Sequence, residues 1–176
     1  MTEPTQPAAP LATREKTITW EDPMATAAAG TALPGIAFLR EMAAGRIPAP
    51  PIARLMGFDL GEVAEGAVTF VGVPDESVYN PIGLVHGGYV CTMLDSALGC
   101  AVHSTLPAGV GYTSIEIKVN YLRPVHANAG EVRVHGRVTK PGRRVAFAEG
   151  EVVDAAGKVL ATAQSSLLIM PGPGAA

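Results

Sequence analysis

Asp95 is the one carboxylate in the most apolar helical stretch of the chain. It follows Gly87-Gly88-Tyr89-Val90-Cys91-Thr92-Met93-Leu94, and that run is entered through Asn80-Pro81-Ile82-Gly83-Leu84-Val85-His86. A buried charge is costly unless it is paired or used. Asp95 is therefore a candidate general base, taking a proton from water as the water attacks a carbonyl. Direct attack by the carboxylate is the other chemistry open to it. The Gly87-Gly88 pair falls where the helix begins. Backbone N–H groups there lack intrahelical partners and can hold an oxyanion. Glycine also permits close backbone approach, which an oxyanion hole needs. Asn80 ahead of Pro81 suits an Asx turn or a polar contact to substrate. His86 can orient the loop or hydrogen-bond near a substrate carbonyl.

The elements around this segment follow from hydrophobic period. Val90, Met93, Leu94, Ala97, Leu98 and Ala101 cover one broad helical side, while Gly88, Thr92, Asp95 and Gly99 form a narrow stripe of small and polar residues. That stripe is expected not to pack deeply into its own sheet, leaving room for a ligand or another backbone. Residues 58–64 and 67–73 read as a hairpin around Glu65-Gly66. After the helix, 115–122, 132–138, 145–153 and 159–169 read as strands, with turns at Lys140-Pro141-Gly142 and Asp154-Ala155-Ala156-Gly157. Hairpin, long helix and meander together give an α+β fold, an antiparallel sheet wrapped around one central helix.

Upstream, Pro34, Ile36, Leu39, Met42 and Gly45 mark a short helix over 34–44, Pro48-Ala49-Pro50-Pro51 breaks the chain, and 52–56 adds a turn. Residues 1–32 are rich in Pro, Ala and Thr. Disorder is expected over 1–14, and a short strand or an anchoring Trp20 over 17–20. The expected organisation is an extension over 1–47, partly disordered with a short helix, a domain over 48–170 and a tail over 171–176.

Composition narrows the function. The chain has 176 residues, 48% hydrophobic and 16% charged, enough for one domain with a real core. Net charge is −3 and no basic stripe is present, which argues against nucleic acid as a partner. No apolar run suits a membrane span, and the N-terminal stretch lacks the pattern of a secretory signal. Cys91 and Cys100 lie nine residues apart on one predicted helix, roughly 13 Å, too far to bridge. Free thiols in a reducing, cytoplasmic setting are expected. His86, His103, His126 and His135 are scattered, so no metal site is expected. Arg143 and Arg144, beside the Pro141-Gly142 turn, are either solvated or suited to phosphate groups, with Lys140 and Arg123 as further cations.

Asn80, Gly83, His86-Gly87-Gly88 and Asp95, followed by Ser114-Ile115-Glu116-Ile117-Lys118-Val119-Asn120-Tyr121-Leu122-Arg123-Pro124, resemble the PaaI-like acyl-CoA thioesterases of the hotdog superfamily. The stretch 130–169 resembles the family too, and the likeness covers about 50–170. It implies a hotdog fold, metal-free and cofactor-free thioester hydrolysis, and a homodimer with shared sites, often a dimer of dimers. By the resemblance, Asp95 is the catalytic carboxylate and the Gly87 N–H the oxyanion donor. Asn80 comes from the other subunit, and Ser114 holds the nucleophilic water. His86 and Gly88 belong to the same loop, and acyl-CoA is the implied substrate, whose phosphates Arg143 and Arg144 would suit if they are not simply solvated. An acyl-CoA sensor and a hydratase or dehydratase on this fold are the alternatives.

Overall fold

The computed structural model describes residues 11–170 and Gly172. Strands β1 (Phe58–Ala64), β2 (Ala67–Gly72), β3 (Gly111–Tyr121), β4 (Val132–Lys140), β5 (Val145–Asp154) and β6 (Val159–Met170) form one antiparallel sheet in the order β1-β2-β4-β5-β6-β3. Burial alternates along β4 and β6, as period-2 side chains over a one-sided core require. The sheet wraps the 17-residue helix that follows β2, Gly87–His103.

Helices α1 (Pro23–Ala32), α2 (Gly35–Ala43) and α3 (Pro51–Met56) precede the sheet, so the long helix is α4. The broad apolar side of α4 is buried as its period demands: Leu94, Ala97, Leu98, Ala101 and Val102 are fully enclosed. Each such Leu or Val contributes roughly 1.5–3 kcal/mol relative to exposure. Where α4 meets the sheet, Gly136 of β4 and Gly150 of β5 face each other in register. A Cβ on Gly136 would lie 2.5 Å from the Ala97 carbonyl oxygen, so the helix backbone rests directly on the sheet there.

The helix pair α1–α2 lies at the other side of α4. Phe38 and Leu39 of α2 are buried, and the Gly35 N–H donates to the Leu106 carbonyl at 3.0 Å, just past the end of α4. Asp22 caps α1 by accepting from the Met24 N–H at 2.8 Å, with Pro23 in the first turn. The Thr26 hydroxyl donates to the Pro48 carbonyl at 3.3 Å, and the Gly109 N–H donates to the Thr31 carbonyl at 2.9 Å. Both ends of α1 are thus tied down.

Two expectations need correction. Residues 17–20 form no strand, and Trp20 is 56% exposed, outside the core. Lys16 docks this segment instead, its ammonium donating to Asp75 at 2.8 Å and to Ser77 at 3.0 Å, because η1 (Glu76–Val78) and its cap offer oxygens there. Helix α1 is an element that the sequence pattern does not announce: its single buried residue, Thr26, gives no apolar period to detect. Gly99, assigned to the open stripe, is buried against Tyr112, where an added Cβ would meet the ring at 2.8 Å. The expected disorder over 1–14 falls mostly on residues 1–10, outside the described residues, as does all of the expected tail except Gly172.

Candidate active site

The structure brings Asp95 and Ser114 together. Asp95 projects from α4, and Ser114 sits on β3 just before a bulge that separates it from Glu116 in the pairing with β6. A bulge re-aims side chains; here the Ser114 hydroxyl donates to Asp95 Oδ1 at 2.7 Å. One carboxylate oxygen is thereby fixed and the other is left for water or substrate. Neighbouring hydroxyls do not compete for it, because Thr92 donates to the Gly88 carbonyl at 2.8 Å and Ser96 to the Thr92 carbonyl at 2.9 Å.

The start of α4 separates its two glycines by role. His86 is the N-cap, and its Nδ1 accepts from the Gly88 N–H at 2.8 Å. Gly88 is therefore committed within the loop. The Gly87 N–H has no acceptor among the described residues, at the positive end of the helix dipole. Tyr121, which the sequence reading did not single out, holds Gly87 from β3. Its hydroxyl donates to the Gly87 carbonyl at 2.9 Å, and a Cβ on Gly87 would meet its ring at 3.1 Å. Tyr121 stands in the strand pattern as one more alternating apolar residue, so nothing in its spacing reveals this contact.

Asn80 organises the entry loop. Its Oδ1 accepts from the N–H groups of Ile82 and Leu84, each at 3.1 Å, which is the Asx-type arrangement its place before Pro81 suits. Its amide N–H₂ has no acceptor among the described residues. Arg143 and Arg144 are exposed and lie outside the Asp95–Ser114 pair. The Arg144 carbonyl accepts from Ile169, whose β3 partner is Tyr112, which sets the Arg144 backbone two strand spacings, about 10 Å, from the first residues of β3. The Arg123 guanidinium donates to the Val159 carbonyl at 2.5 Å.

Asp95 and Ser114 open onto a cavity of about 670 Å³, within the size range of small-molecule sites. Phe38, Leu39, Met42, Phe58 and Phe70 supply apolar walls, and Cys100, His103 and Tyr112 lie alongside them. His103 stacks between Phe38 and Tyr112, with ring centroids 5.4 Å from each. Burial lowers its pKa, which favours a neutral ring. Burial pushes the Cys100 thiol up to about 12, and burial followed by the Asp95 charge raises Cys91. Neither cysteine is a thiolate nucleophile at neutral pH. A second groove, about 730 Å³, lies on the sheet face turned from α4 among His135, Arg137, Glu149 and Gln164, away from Asp95.

A long helix wrapped by one antiparallel sheet is the architecture of the hotdog class. Residues 82–161 match the Thioesterase superfamily. A phenylacetic acid degradation-related protein from Ralstonia eutropha JMP134 is 30% identical, with a TM-score of 0.67 over 74% of this chain and 98% of that one. Human acyl-coenzyme A thioesterase 13 is 29% identical over 70% of this chain and 88% of its own. The PaaI protein of E. coli shares the fold at 20% identity, with a TM-score of 0.68 over 80% of this chain and 98% of that one. The matches to the first curated relatives span 46% and 61% of their lengths, about half. The chain belongs to the thioesterase superfamily.

Proposed function

We propose that this protein hydrolyses acyl-CoA thioesters, with Asp95 as the catalytic carboxylate. The observation that carries the reading is the Asp95–Ser114 pair at the mouth of an apolar cavity. The acyl chain occupies the cavity, and the thioester carbonyl stops at the pair. Ser114 holds one oxygen of Asp95, and the other takes a proton from the attacking water. The Gly87 N–H receives the oxyanion. Collapse of the tetrahedral intermediate expels the CoA thiolate and leaves the free acid.

Within one chain, eight residues of helix separate Gly87 from Asp95, about 12 Å, too far to grip one carbonyl and its attacking water together. The site therefore joins Asp95 of one subunit to Gly87 and Asn80 of another. Edge strand β3 supports such a homodimer: its backbone edge is unpaired in a single chain, and Ile115, Tyr121 and Leu122 at or beside it are all more than half exposed. Arg143 and Arg144 lie at the β3-start end of the sheet and suit the CoA phosphates.

The test is thiol release over a panel of acyl-CoAs by wild type and Asp95→Asn. The expected outcome is turnover by the wild type and a loss of about 10² or more in kcat for a variant that keeps its fold, as for loss of a general base. Binding without turnover by the wild type would instead mark a sensor, and wild-type turnover by Asp95→Asn would remove the mechanism.

A further inference from the structure

The cavity at Asp95 has one wall outside the hotdog sheet and its central helix. Pro23, Thr26, Ala27, Gly30 and Thr31 of α1 line it, at helical spacings i, i+3, i+4, i+7 and i+8. These are the residues of one helical face, and none carries a large side chain. The face therefore bounds the space without filling it, while α2, Phe58 and Phe70 supply the bulk on the remaining walls. The direction of α1 is fixed by its two ties. Thr26 bonds to Pro48, ahead of β1, and Thr31 bonds to Gly109, just ahead of β3 and five residues before Ser114. The helix thus runs along the cavity from its β1 side to the side that holds Ser114.

This gives the cavity a length. The lining face of α1 runs from Pro23 to Thr31, eight helical rises or about 12 Å. An extended chain advances about 3.6 Å per three bonds, so this length holds about ten bonds. An arylacetyl group would fill about half of it.

Resting on the thioesterase reading, we infer that α1 is the specificity wall of the acyl site and selects an unbranched saturated acyl chain of about eight to ten carbons. The thioester carbonyl sits at Asp95 and Ser114, near the Thr31 end. The chain then passes Gly30 and Ala27, and its methyl end lies toward Thr26 and Pro23.

The experiment compares kcat/KM for saturated acyl-CoAs from acetyl to hexadecanoyl, and for phenylacetyl-CoA, in the wild type and in Ala27→Trp. The wild type should prefer octanoyl- or decanoyl-CoA. Ala27→Trp places an indole midway along the chamber. It should move the optimum to shorter chains and lower the decanoyl-to-butyryl ratio by about tenfold or more, the scale of a misfit in an apolar pocket. A wild-type optimum at acetyl- or phenylacetyl-CoA overturns the inference. So does a variant that loses the same factor at every chain length. Should Ala27→Trp fail to fold, Gly30→Leu carries the same comparison, since its Cβ meets the Phe38 ring at an ordinary 3.4 Å. Absence of turnover with every acyl-CoA overturns the hydrolase reading instead. The chamber is then tested with two thioethers, S-decyl-CoA and S-butyl-CoA. The wild type should bind the decyl compound about tenfold more tightly and the variant should lose that preference; equal Kd values in the wild type overturn the chamber.

Discussion

Ser114→Ala isolates the contact on which the site depends. The Ser114 hydroxyl donates to Asp95 Oδ1 at 2.7 Å, a short bond to a charged acceptor. Such bonds contribute about 1.5–3 kcal/mol. If Ser114 acts by holding Asp95 in its productive orientation, that energy appears in the barrier. At 1.36 kcal/mol per decade it corresponds to a loss of about 10- to 150-fold in kcat. On the same premise KM should move little. The assay is steady-state thiol release by wild type, Ser114→Ala, Asp95→Asn and the double variant. Because Ser114 works through Asp95, removing it from Asp95→Asn should cost less than about threefold further, and the cycle should give a coupling energy of at least about 0.7 kcal/mol. Ser114→Thr, which keeps a hydroxyl, should recover most of the loss. Losses that multiply independently would refute the reasoning and give Ser114 a separate role.

Mixing inactive Asp95→Asn chains with inactive Asn80→Ala chains should restore part of the activity after subunit exchange, because some mixed dimers regain one intact site; no recovery after confirmed exchange counts against a shared site. The Tyr89 hydroxyl is fully buried without a hydrogen-bond partner among the described residues, so Tyr89→Phe should raise stability by about 1 kcal/mol, read as a higher denaturant midpoint at unchanged m-value. The Lys16 ammonium, followed by the Ser77 hydroxyl, lowers Asp75 from 3.8 to about 2. Because the folded value lies below the unfolded one, this stabilisation is complete above about pH 4 and lost as pH falls toward 2. Both partners are substantially exposed, so its size is under about 1 kcal/mol, and Lys16→Ala should flatten the acid limb of Tm against pH over that window.

Much of this was legible in the chain. The period of Val90, Met93, Leu94, Ala97, Leu98 and Ala101 gives α4, and the turns at Lys140-Pro141-Gly142 and Asp154-Ala155-Ala156-Gly157 divide the meander where the strands end. Asp154 even caps its own hairpin, accepting from the Ala156 and Lys158 N–H groups at 3.0 and 2.9 Å. Asp95 stands out because charge in an apolar helix needs a reason. What the sequence does not reveal is pairing across distance. That Ser114 reaches Asp95 depends on the β3 bulge, and that Tyr121 braces Gly87 depends on where the edge strand crosses the helix start. Helix α1 shows a start signal in Asp22-Pro23, but its inward face has no large apolar residue, so period-based reading passes over it.

The bare patch where Gly136 receives the backbone of α4 separates two jobs that most cores leave entangled. Asp95 lies two residues before Ala97, and the height of that turn above the sheet is fixed by main chain against main chain. Side-chain size on the far side has no part in that contact. Selection can therefore rework the lining from α1 and α2 to admit a new acyl group while the carboxylate keeps its place. The reverse does not hold: even an alanine at Gly136 would lift the helix and carry Asp95 with it. Positions 26–31 should accordingly change with the acyl group, while position 136 should be nearly frozen although it does not line the cavity.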